Sequence, residues 1–336
     1  MNKLNREDKL LSIVLVVLIC AAVLMFWPTN YYRISPGRAE ALGPMIAIQG
    51  DSYEVKGEVM LTAVSMRDAK LLDYIQVRLF ETELIELESK DFLPPGMDMR
   101  KYFELMQEMM EESQMTAKAV ALTKAGYDPQ ITGEGVRVVD VLKEGTSYGK
   151  LKEGDIIVGI DGKPVKLLNE TIEKIQAREV GQEVEISVLR EEEEKIFLLK
   201  TYSLEDNNGG NPSIGVLITP HNQNFNFPIE IDINAGEIGG PSAGAMFTLE
   251  IFNRLTPEDI TQGQKVAGTG TIDLDGAVGK IDGVRQKIVA AKDQGAEVFF
   301  SPAGNYEEAK TLEVEGIEVV GVENIDQIIK YLKSRG

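Results

Sequence analysis

Apolar residues fall along this chain in three different rhythms. From Leu10 to Trp27 they are nearly continuous, broken only by Ser12 and Cys20. At about 1.5 Å rise per residue, a helix of that length reaches roughly across a hydrocarbon core of about 30 Å. Between residues 44 and 117, short alternating segments (46–48, 55–64 and 71–85) give way to a helical pattern from Met97 to Ala125. Glu58 to Val64 reads as a strand. Met97, Met99, Met106, Met109, Met110 and Met115 read as core filling of the helix, since a thioether adapts to irregular gaps; the alternative is a sticky partner surface. Residues 32–43, punctuated by Pro36 and Gly37, read as a loop with two turns.

From residue 118 to 203 the pattern is mainly that of strands. Gly135 to Val141 alternates, 152–165 is a turn, a strand and a turn, and 169–178 is an amphipathic helix. Residues 184–189 and 195–199 form a hairpin across the acidic turn 191–194. The polar, glycine-rich stretch 204–212 reads as a linker. Strands (214–219, 229–233, 266–274, 298–301, 317–322) then alternate with helices (242–255, 283–294, 306–312, 325–333). The expected architecture is a multi-domain α/β chain. It comprises an anchor (1–27), an α/β region (28–117), a β-rich domain (118–203), a linker (204–212) and an α+β domain (213–336).

Charge and rare residues narrow the chemistry. Fifty-four acids against 35 bases leave a net charge of −19. That excludes nucleic acid as the main partner, because phosphate binding needs a basic face. Cys20 is the single cysteine, so neither an internal disulfide nor a thiolate metal cluster can form. His221 is the single histidine, which excludes two-histidine zinc sites and leaves any Ser-His-Asp site only one base to use. No metal or cofactor is expected. Lys3, Arg6 and Lys9 precede the apolar run, and Trp27, Tyr31 and Tyr32 follow it at the interfacial position. This predicts an uncleaved single-pass transmembrane helix with a cytoplasmic N-terminus and the acidic body outside. The competing reading is a cleaved signal peptide. The run is long for one, and no A-x-A site precedes a polar start.

Two residues stand out chemically. Gly239-Gly240-Pro241-Ser242-Ala243-Gly244 delivers a serine to the start of an apolar helix. Free N–H groups at a helix start can hold an oxyanion, so Ser242 can be a nucleophile; it can equally be an ordinary N-cap. Gly239 and Gly244 have P-loop spacing, but Ala245-Met246 stands where that motif needs Lys and Ser or Thr. Nucleotide binding is therefore not expected. In the helix 283–294, Val284, Ile288 and Ala291 mark an apolar stripe, and Lys287 shares it while Arg285, Gln286 and Lys292 lie elsewhere. A buried lysine loses its proton readily and can then serve as a base. The alternative is a lysine that snorkels or pairs with an acid.

The stretch "GVRVVDVLKEGTSYGKLKEGDIIVGIDGKPV" resembles bacterial PDZ domains. The resemblance implies capture of an extended chain at a sheet edge, with a carboxylate-binding loop at Gly133, Gly135 and Val136. The stretches "GGPSAGAMF" and "GTGTIDLDGAVGKIDGVRQKIVAAKDQGAEVFFSP" resemble the proteolytic domain of Lon-type peptidases. That likeness implies a Ser–Lys dyad of Ser242 and Lys287, with Thr269 orienting the lysine. Backbone N–H groups at Gly240 and Ser242 would form the oxyanion hole. One departure is Gly239, where ATP-dependent members usually carry an acid.

The whole order resembles the membrane-anchored PDZ-containing Lon-like serine peptidases of bacteria (YlbL-like). It implies an ATP-independent endopeptidase at the cell membrane acting on flexible peptides or unfolded segments, with hexameric assembly. The alternative is a non-catalytic tethered scaffold whose PDZ unit binds peptides.

Overall fold

The computed structural model describes residues 6–80, 84–93, 97–203, 211–312 and 314–335. It divides the chain into two compact units, one made of 1–125 with 229–336 and the other of 126–228. The first unit therefore joins the expected N-terminal region to the expected C-terminal domain. A six-stranded sheet does the joining, in the order Glu318–Val322, Val298–Pro302, Lys265–Gly268, Glu58–Lys70, Pro28–Ala41, Glu86–Ser89. The first four strands run parallel, with Glu58 to Leu61 lying against Lys265 to Gly268. The last two add antiparallel. Val298–Pro302 is buried at every position, as a parallel strand covered on both faces should be.

Residues 32–43 are not a loop: most of them lie in the strand Pro28–Ala41. Pro36 and Gly37 are absorbed at a register shift between Pro36 and Ala39. Gly37 is required there, because a Cβ would lie 2.3 Å from the Ala63 carbonyl oxygen. Leu71–Phe80 forms a helix rather than an alternating segment. The expected strand 266–274 is interrupted after Gly268 and resumes at Thr271–Ile272. In the helix Met99–Lys124 only Met110 of the methionine stripe is core, at 2% exposed; Met106, Met109 and Met115 are half-buried.

Arg6–Phe26 is a helix whose Leu10, Leu15, Val17 and Phe26 are exposed. Among the described residues no helix is long and apolar enough to cross a membrane. The expected transmembrane helix is therefore not found among the described residues.

The second unit is built on an antiparallel sheet in the order Glu193–Lys200, Glu183–Arg190, Ile156–Ile160, Val136–Val141, Val216–Pro220. Its core gathers Val136, Val138, Ile157, Ile160, Ile186 and Val188. The last strand shows that this unit runs past residue 203. Residues 204–210 of the expected linker lie outside the described residues. Asp155 is buried beneath Arg190, which donates to it from Nε and Nη2, both at 2.7 Å. Arg190→Met should lower the stability of this unit by about 3 kcal/mol, because a buried carboxylate loses its partner. An earlier denaturant midpoint for the unit would record it.

Candidate active site

The serine turn is shaped by its glycines. Gly240 has φ 93° and ψ 154°, a backbone state that side chains with a Cβ avoid. Pro241 then starts a 3-10 turn, Pro241–Ala243, which runs into the helix Gly244–Leu255. A Cβ on Gly244 would come within 2.6 Å of Ile272 and 2.7 Å of the Ser113 hydroxyl. The turn is thus wedged between two elements. Gly239 is equally crowded, since a Cβ there would sit 2.9 Å from Met106 Cβ. An acid at this position has no room.

Lys287 arrives from the helix Val284–Asp293. Its side chain is 4% exposed. Nζ lies 2.9 Å from Ser242 Oγ and 3.1 Å from Thr269 Oγ1. Thr269 in turn donates its hydroxyl proton to the Ser242 carbonyl at 3.0 Å. The threonine oxygen is therefore an acceptor toward the lysine. A neutral amine that gives one N–H to Thr269 keeps its lone pair for the serine hydroxyl. Burial pulls the Lys287 amine down to about 8, with the Asp282 carboxylate opposing the shift. Ser242, Lys287 and Thr269 are therefore brought together as the residue pattern and the resemblance implied. Gln286, read from the periodicity as off the stripe, is also buried and donates to Glu86 at 2.7 Å.

The expected oxyanion donors divide. Gly240 N–H donates to the Met106 carbonyl at 2.7 Å, so it is already engaged. Ser242 N–H sits at the second position of the 3-10 turn, where a helix start leaves donors without intrahelical acceptors. A cleft of about 530 Å³ opens on the serine, with Thr62, Val64, Met66, Phe103, Met106 and Glu237 among its walls.

The expected peptide-binding residues lie in the second unit. Val136 pairs with Ile157 on one side and Pro220 on the other, so its strand has no free edge. Gly135 N–H donates to Lys166 O at 3.2 Å, and its carbonyl accepts from His221 N–H at 3.0 Å. Gly133 is packed against the Lys166 carbonyl. An added strand needs unpaired backbone groups. Among the described residues, Val216–Pro220 ends the sheet and packs against the helix Leu168–Gln176. That edge lies past the linker-like stretch, within the span that the sequence pattern gives to the next domain.

These features define a buried serine–lysine pair on an α/β scaffold, alongside a β-rich unit with an open edge. Residues 218–334 match the model of the Lon protease C-terminal proteolytic domain. Residues 108–201 match that of the PDZ domain. A Lon protease of Rickettsia felis is 36% identical over 110 residues, covering 31% of this chain and 14% of that protein. Lon protease 2 of Bacillus subtilis is 34% identical over 119 residues, covering 35% of this chain and 20% of its own length. The chain thus spans a fifth or less of these relatives. Among solved structures, the PDZ domain of an SdrC-like protein from Listeria monocytogenes is 28% identical. It covers 26% of this chain and 92% of its own, with a TM-score of 0.25. Together the two matches give the chain a PDZ-like stretch followed by a stretch like the Lon proteolytic domain.

Proposed function

We propose that the chain is an ATP-independent serine endopeptidase using Ser242 as nucleophile and Lys287 as general base. The observation that carries this reading is the 2.9 Å contact between Ser242 Oγ and a lysine amine that is 4% exposed. Neutral Lys287 takes the hydroxyl proton as Ser242 attacks a peptide carbonyl. Ser242 N–H supports the oxyanion. Lys287 then protonates the leaving amine, and water releases the acyl group. Thr269 holds the amine in register. No P-loop lies in the sequence, so the chain itself supplies no ATP-driven unfolding, and the substrates are flexible peptides or unfolded segments.

Peptide capture belongs to the second unit. An extended chain adds to the open edge of Val216–Pro220 beside the helix Leu168–Gln176. The exposed apolar residues of Arg6–Phe26 attach the protein to a membrane, where such a surface is shielded from water. Fractionation of cells tests the attachment: full-length protein in the soluble fraction would overturn it.

A fluorophosphonate probe tests the catalytic reading. Incubation of the full chain should add one phosphonyl group, mapped by peptide mass to Ser242. Labelling at another serine, or no labelling alongside no cleavage of an unfolded protein, would leave the scaffold reading in its place.

A further inference from the structure

The helix Met99–Lys124 carries one buried polar side chain facing the serine turn. Ser113 is 6% exposed. A hydroxyl buried in mid-helix commonly bonds back to the carbonyl four residues earlier. Thr116 and Thr123 of this helix do so, donating to Glu112 O at 3.1 Å and Ala119 O at 2.9 Å. Ser113 reaches out of its helix instead. Its hydroxyl donates to the Pro241 carbonyl at 2.9 Å, 128 residues away in the chain.

The Pro241 carbonyl belongs to the same peptide group as Ser242 N–H. A trans peptide is planar, with its C=O and N–H pointing in opposite directions. Pinning the carbonyl therefore aims the N–H. A hydrogen bond on the carbonyl also polarises the group and strengthens the donor at its other end. With Gly240 N–H given to Met106, Ser242 N–H is the donor left of the two expected there.

We propose that Ser113 is a positioning residue for peptide hydrolysis, orienting and polarising the Ser242 N–H that supports the oxyanion. The proposal rests on Ser242 being the nucleophile. Ser113 touches no reacting atom; it acts through the Pro241–Ser242 peptide. The opposite face of the turn is held independently, by Gly270 N–H and the Thr269 hydroxyl on the Ser242 carbonyl at 2.7 and 3.0 Å.

The test is Ser113→Ala in the full chain. Pro241 O keeps the Gly244 N–H, so no carbonyl is orphaned, and alanine suits a helix interior. The thermal midpoint should therefore stay close to that of the parent. Removing an oxyanion donor outright costs about 10²–10³ in kcat, so misaiming one should cost about tenfold to a hundredfold. KM should change by less than about twofold, because the contact matters only as the oxyanion forms. A peptide aldehyde, whose hemiacetal oxygen occupies the oxyanion position, should weaken by the same factor as kcat/KM. A kcat within about twofold of the parent would overturn the proposal. So would a fall in kcat with unchanged aldehyde affinity, or one matched by loss of folded protein. A parent chain that neither cleaves peptides nor labels at Ser242 sinks the function itself. A parent that does both, beside an unimpaired Ser113→Ala, sinks only this inference.

Discussion

Ser242→Ala should lower peptide hydrolysis by about 10⁴-fold or more, the range seen when a serine nucleophile is removed. The fold should not notice. Among the described residues Ser242 Oγ is bonded to Lys287 alone, and Lys287 keeps Thr269 Oγ1 at 3.1 Å. The turn retains its backbone contacts from Gly270 and Ser113. The measurement is steady-state cleavage of a quenched peptide beside the thermal midpoint. Residual cleavage above about 1% of the parent would mean another nucleophile operates.

Lys287→Met should also be severe for activity, and it should change stability in a pH-dependent way. Methionine fills the same slot without a titratable group, so the serine keeps its proton and hydrolysis falls by about 10³-fold or more. The unfolded chain holds the lysine proton up to about 10.5, and the folded chain only up to about 8. Between those values the unfolded state binds the extra proton, so parent stability rises with pH. Below about 8 the buried site carries its full penalty, on the order of 3 kcal/mol at about 1.4 kcal/mol per pH unit. Lys287→Met should therefore match or exceed the parent in thermal midpoint at neutral pH. It should also lose the parent's gain in stability on the alkaline side. The activity of the parent follows the neutral amine. It should fall about tenfold per unit as pH drops below about 8. A flat acid limb down to pH 6 would remove Lys287 from the role of base.

The two residues of the candidate site were legible because each breaks a local rule. Lys287 sits on an apolar stripe, and Ser242 follows a turn that only glycine and proline would build. What stayed hidden depends on distant pairing. Pro28–Ala41 looked like turns because Pro36 and Gly37 punctuate it; the long strand Glu58–Lys70 absorbs both at a register shift. The free edge at Val216–Pro220 was hidden by the glycine-rich stretch before it, which reads as a boundary in sequence. Ser113 is one hydroxyl among several on its helix, and only the geometry separates it from Thr116 and Thr123. The loss of Gly240 as a donor follows from a helix laid over the turn, which no local pattern announces.

The insertion of residues 126–228 between two halves of one sheet also governs how the protein is made. Glu58 cannot meet its partner Lys265 until the entire inserted unit has left the ribosome. Chains fold from the N-terminus as they emerge, so the inserted unit closes first and the first strands wait unpaired. The contact between Ser242 and Lys287 comes into being only when synthesis has passed Lys287, after residues 126–228 are already complete.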